Sequence, residues 1–294
     1  MDRDRILHKL KEIDMLPTFP ATVGTVMSLI RDPMSSAADL AKSMDPSMVS
    51  EVLRIANTAY FGTRSFRNIS SIEHAIAIIG LEHLSSVIIQ MPFMSMVNGD
   101  AAFDRERFME HSIVRGVMSK TISSSTGLGD PNEVYISGMM HDIGSVVIYR
   151  YFRDGWDRTC SLAREKDVPW HEAEQEVFSM DHGHIGAMLL ELWNIPKAIT
   201  DGVMFHHCPG EAEENRWNVM AVHLGNKFSK LINVHDDLPS FDDFFNRYRS
   251  FLNIDGEPGL QLAPGDEMMF CETIYAFTKK MRRHASEATG EEQW

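Results

Sequence analysis

Cysteine is scarce in this chain: its 294 residues include only three, Cys160, Cys208 and Cys271, and no two form a CxxC pair. An odd, unpaired set argues against a disulfide framework and for a reducing, cytoplasmic setting. Basic residues are also short, 28 Lys and Arg against 42 Asp and Glu, for a net charge of -14. Neutralising phosphates supplies most non-specific affinity for nucleic acid, so this balance argues against nucleic acid and anionic lipid as partners. Long apolar runs are missing. The most apolar stretch, at 86–97, is interrupted by Gln90, Pro92 and Ser95 and falls short of the ~18 residues that a membrane span requires. The N-terminal segment MDRDRILHKLKEIDM is charged throughout, so neither a secretory leader nor membrane association is expected. No alternating strand pattern, internal repeat or heptad run is visible, which leaves an all-α protein.

What the chain does have is helix punctuation. Asp45-Pro46 reads as an N-cap followed by proline at the first helical position. It opens a helix over 47–60 with Val49, Val52, Leu53 and Ala56 on one face and Gly62 as its stop. Ser70 and Glu73 have the S-x-x-E spacing of a capping box, ahead of an apolar helix at 72–79 that ends at Gly80. A second helix from Leu81 carries Leu84, Val87, Ile88 and Met91. Helix, glycine turn, helix is also the outline of a DNA-binding motif, but LEHLSSVIIQMPF is too apolar to read bases, and a packed hairpin is preferred. The polar segment NGDAAFD at 98–104 marks a boundary. The expected architecture is an N-terminal helical bundle, 1–100, packed on a helical domain with a C-terminal helical extension, 101–294. Further helices are expected at 105–124, 132–152, 170–178, 182–193, from Pro196 to about 208–210, at 216–232 and at 267–284. The 20 methionines read as flexible filling between helices.

The chain has 13 histidines, several on apolar faces. His111 shares a helical stripe with Val114 and Met118 and should point inward. His141-Asp142 sits inside GMMHDIGSVVIY, apolar almost all round, where a carboxylate must be paired or bound to a cation. His182 opens a helix four residues before Gly186, whose missing side chain lets another helix or a ligand come close. His206-His207 ends the next helix. Any one of these alone is most simply a hydrogen-bonded core residue. Together, imidazoles with a carboxylate suit a divalent transition metal, Fe, Mn, Zn or Ni, rather than Ca or Mg. His184 is expected to face solvent. Cys208 adjoins His207, but neighbouring helical side chains diverge by about 100°, so no nucleophilic pair is expected.

The ordered series His111, His141-Asp142, His182, His206-His207 resembles the HD superfamily of metal-dependent phosphohydrolases. The segments LPTFPATVGTVMSLIRDP, DPSMVSEVLRIANTAYFG, SIEHAIAIIGLEHL, DHGHIGAMLLELWNIP and FHHCP resemble HDOD (HD-related output domain) proteins, over about 16–231. The resemblance implies an HD-type helical scaffold and a signalling or regulatory module that acts on signalling proteins or a small phosphorylated ligand. It implies one or two metal ions held by His111, His141, Asp142, His182, His206 and His207. It leaves open a metal-dependent phosphohydrolase, with Asp142 and an activated water at the reacting centre. Two departures stand out. Asn226 occupies the place of the family's last carboxylate, an amide being a weaker, neutral ligand, with His223 one turn earlier as a candidate substitute. No Gly-Tyr-Pro follows His206-His207, so cyclic-dinucleotide phosphodiesterase activity of the HD-GYP kind is not implied.

Overall fold

The computed structural model describes residues 3–12, 21–57, 69–97, 100, 102–229 and isolated positions from 240 onward. Among those residues every regular element is a helix. In chain order these are α1 (Arg3–Glu12), α2 (Ala21–Arg31), α3 (Ala37–Ser43), α4 (Pro46–Ala56), α5 (Ile72–Met96), α6 (Arg105–Thr126) and α7 (Pro131–Met140). Next come α8 (Ile143–Tyr151), α9 (Arg153–Lys166), α10 (Trp170–Phe178), α11 (His182–Leu192), α12 (Lys197–Met204), a 3-10 turn at Pro209–Glu211, and α13 (Arg216–Ser229). The expected helix at 267–284 lies outside the described residues except at isolated positions. The described chain divides into two compact units: residues 21–95 form one, and 3–12 with 96–229 form the other.

In the smaller unit the helix starts are written locally. Ser36 and Asp39 form a reciprocal capping box at α3. The Asp45 carboxylate accepts from the amides of Ser47 and Met48 at 2.8 and 2.9 Å, and Pro46 opens α4. The buried face of α4 is Met48, Val52, Ile55 and Ala56, while Val49 and Leu53 are half-buried, so the stripe is rotated from the expected one. At α5 the cap is Ser71 rather than Ser70. Its hydroxyl accepts from the His74 amide at 3.4 Å and donates to Glu73 at 2.6 Å. α5 is two helical segments, broken at Gly80 with φ 78° and ψ 161°. Segments Ile72–Leu81 and His83–Pro92 meet at 104°. No single described helix is long and apolar enough to cross a membrane; those two segments meet that test only as a bent pair. Ala75, Ile76, Ile79, Leu84, Val87 and Ile88 are buried, each large apolar side chain worth about 1.5–3 kcal/mol when fully covered.

In the larger unit α6 packs on α7 and α13, α11 on α8 and α12, and α9 on α10. Met118, Ile122, Val134, Tyr135, Met139, Val147, Leu189, Val219 and Phe228 fill its core. Met140, Met188 and Met220 are also buried in this unit. Two elements differ from the sequence expectation. The apolar stretch at 132–152 is not one helix but two, α7 and α8, separated by His141 and Asp142. α9 was not expected: its apolar stripe, Trp156, Cys160 and Ala163, is short and only half-buried, and of its 14 residues only Thr159 is buried.

Candidate metal centre

The break between α7 and α8 places the central carboxylate. Asp142 stands at the N-cap of α8, where an aspartate ordinarily accepts from first-turn amides, yet its side chain makes no capping bond. Both of its oxygens turn instead to imidazoles. Oδ2 lies 3.0 Å from His111 Nε2 and 3.1 Å from His141 Nε2; Oδ1 lies 3.0 Å from His182 Nε2 and 4.0 Å from His206 Nε2. His207 Nε2 is 3.1 Å from His182 Nε2. The ligand atoms of His111, His141 and Asp142 lie within 4.8 Å of one another, and so do those of His182, His206 and His207.

These side chains arrive from four places: α6, the α7–α8 break, α11 and the turn after α12. A backbone crossing sets two of them. A Cβ on Gly144 would stand 1.9 Å from the His182 carbonyl oxygen and 2.7 Å from the Gly186 amide nitrogen, so α8 and α11 touch main chain to main chain. The close approach expected beside Gly186 is thus made by another helix.

The imidazoles are oriented from behind. His141 Nδ1 donates to the Gly138 carbonyl at 2.8 Å, and His206 Nδ1 donates to that of Val203 at 2.7 Å. Burial pushes His141 down to about 4, against the pull of Asp142, and holds His206 well below the usual range, with His141 and His182 alongside. Both rings are therefore neutral at pH 7, with bare Nε2 lone pairs directed inward, and neither Nε2 has a hydrogen-bond donor or acceptor paired to it. A bare nitrogen facing a carboxylate oxygen suits a cation held between them. Burial also works against protonation of His182, but Glu174 and Asp142 outweigh it and lift this ring well above its ordinary value. Burial would raise Asp142, yet the surrounding histidines, His141 first, hold it well below. Neutral imidazoles aimed by backbone carbonyls around one ionised carboxylate fit Fe, Mn, Zn or Ni.

The remaining expected residues take other roles. His223 is buried and its Nδ1 donates to the His206 carbonyl at 2.7 Å, so it braces the turn that carries His206. Asn226 Oδ1 accepts from Arg115 Nε at 3.1 Å. His184 is bonded through Nδ1 to Asp181 at 2.8 Å, and a quarter of its side chain is exposed. The Cys208 thiol is pushed up to about 12 by burial and by Glu211 and Asp181, which argues against a thiolate nucleophile.

Three neighbours were not expected. Glu174, fully buried, accepts from His182 Nδ1 at 2.6 Å and from Trp170 Nε1 at 2.7 Å. His171 stacks on His207 with ring centroids 3.9 Å apart. Arg115, one turn after His111 on α6, places a buried guanidinium beside Asn226. Glu174 could have been found, because Trp170, Glu174 and Phe178 share one i, i+4, i+8 stripe in which the glutamate is the only polar member.

Beside the histidines a half-open cavity of about 520 Å³ is lined by His171, His206, His207, His223, Asn226 and Lys227.

Comparison with known proteins bears on the fold. An uncharacterized protein of Treponema pallidum (strain Nichols) is 23% identical over 256 residues, which is 85% of this chain and 48% of the relative. The chain thus spans about half the length of that curated relative. Among solved structures, an HDOD domain protein of unknown function from Geobacter sulfurreducens superposes with a TM-score of 0.71 at 22% identity, over 97% of this chain and 98% of its own. A protein of Shewanella amazonensis SB2B described as a phosphohydrolase superposes with a TM-score of 0.66 at 19% identity, over 94% and 97%. At those identities the likeness is one of fold. The HDOD domain model matches residues 16–209, well over half of the sequence, and the chain belongs to the HDOD domain family.

Proposed function

We propose that this chain is a signalling or regulatory HDOD module built around a divalent transition-metal centre. It works in a reducing, cytoplasmic setting and acts through protein contacts or a small phosphorylated ligand. The observation that carries the reading is Asp142: a half-buried carboxylate that makes no capping bond and faces four imidazole Nε2 atoms at 3.0 to 4.0 Å. His111, His141, Asp142, His182, His206 and His207 are the residues that would hold metal. A bound ion there would supply Lewis acidity beside the cavity. The protein's own groups do the rest. Gly138 and Val203 carbonyls keep two rings in the ligating tautomer, Glu174 fixes His182, and Lys227 at the cavity wall offers a positive charge to a phosphoryl oxygen.

The cavity favours a second reading, a metal-dependent phosphohydrolase. At about 520 Å³ it has room for a phosphoester next to His206 and His207. Elemental analysis of untagged protein beside an Asp142→Ala variant tests the first reading: near-stoichiometric transition metal in the wild type, lost in the variant, supports it, and no metal in either overturns it. A phosphoesterase screen separates the two. Metal-dependent turnover abolished by Asp142→Ala would make the chain an enzyme, whereas partner or ligand capture without turnover keeps it a regulatory module.

A further inference from the structure

The two groups of candidate ligands share Asp142 but stand in opposite electrostatic surroundings. Behind the His182, His206 and His207 group stands an anion. Glu174 Oε2 accepts from His182 Nδ1 at 2.6 Å and from the His182 amide at 2.8 Å, with no solvent access to the glutamate. Beside the His111, His141 and Asp142 group stands a cation. Arg115 follows His111 by four residues on α6, so the two side chains rise from the same face. It is buried, its charge works against protonation of His141, and Asp142 in turn favours its charged form. Its partner is not an anion. Arg115 Nε donates to Asn226 Oδ1 at 3.1 Å, a neutral acceptor that occupies that oxygen and brings no counter-charge of its own.

A divalent ion in the first group would be held by Asp142 and two imidazoles, one of them on the half-exposed His111. It would sit close to a fixed positive charge in a medium where such repulsion is poorly screened. An ion in the second group would be held by Asp142 and three imidazoles, one of them made more basic by a buried carboxylate. Resting on the metal-centre reading above, we infer that the centre is mononuclear: the single ion belongs to His182, His206, His207 and Asp142, while Arg115, anchored on Asn226, stands where a second ion would otherwise be held. Arg115 is in this account a positioning and selecting residue, which keeps one positive charge on the His111 side of Asp142 without a metal.

The test is metal titration of the full chain with Mn2+ alone, read by calorimetric stoichiometry and by electron paramagnetic resonance. One equivalent with a single-ion spectrum is expected for the wild type. His182→Ala should weaken it by about 100-fold or more, whereas His111→Ala should bind with close to wild-type affinity. Replacing the cation and restoring the carboxylate together, Arg115→Met with Asn226→Asp, should admit a second equivalent and give an exchange-coupled spectrum. Two equivalents in the wild type would overturn the inference while leaving the metal-centre reading intact; none would overturn both. Loss of the ion in His111→Ala with retention in His182→Ala would also overturn it, as would a folded double variant that still binds one. The two single histidine variants keep the test decisive where the buried double variant fails to fold.

Discussion

Two apolar stretches of this chain are interrupted, one in each unit, and the two breaks are made in different ways. In α5 the interruption is Gly80, in a backbone region that only glycine occupies readily, and a Cβ placed there would meet no atom within 4 Å. Between α7 and α8 the interruption is His141-Asp142, whose φ angles of -55° and -96° are open to any residue. There the break is held by what surrounds it, the Gly144 crossing and the imidazoles that meet Asp142. The first kind of break is a property of one residue's backbone and the second a property of packing. Only the second aims a functional side chain.

That contrast can be broken by substitution. The largest effect is expected from Gly144→Ala, because the new methyl meets main-chain atoms that cannot swing away. A loss of about 3 kcal/mol or more of stability should accompany loss of metal content, measured by urea unfolding and elemental analysis. Gly80→Ala has free space, so its cost is backbone strain alone, about 1–3 kcal/mol, with metal content unchanged. A tolerated Gly144→Ala beside a damaging Gly80→Ala would reverse the distinction. The smallest effect sharpens it. Burial holds His83, just past the Gly80 break, down at about 4, with the Ile79 carbonyl pulling the other way. The unfolded chain takes up a proton below about 6.5 that the folded chain refuses, so stability is fully present above that pH and is lost as pH falls from about 6.5 towards 4. His83→Gln, which keeps a donor for Ile79 but cannot be protonated, should recover on the order of 1 kcal/mol at pH 5 and little at pH 7, by urea midpoints at the two values.

The same contrast explains what could be read in advance. Gly80 is a sequence-level break, and Asp45-Pro46 at α4 and Pro196 before α12 are sequence-level starts; each acts locally, through its own backbone or capping side chain, and each was legible. The break at 141–142 carries no glycine or proline and lies in an unbroken apolar pattern, so periodicity alone reads through it. The ordered histidines were visible because buried imidazoles are unusual on apolar stripes. Arg115 was not, since one arginine on a helix normally reaches solvent, and its role depends on Asn226, 111 residues away. α9 went unread because its stripe is only three residues, Trp156, Cys160 and Ala163, set in an otherwise polar segment.

The bare contact between Gly144 and Gly186 acts as a gauge block. Core side chains settle by rotamer adjustments larger than the ~0.2 Å tolerance of a metal–ligand bond, but two backbones in direct touch have no such slack. The span from Asp142 to His182 is therefore a main-chain dimension. The surrounding apolar core is free to drift in composition over evolutionary time without moving it, so long as those two positions stay without side chains.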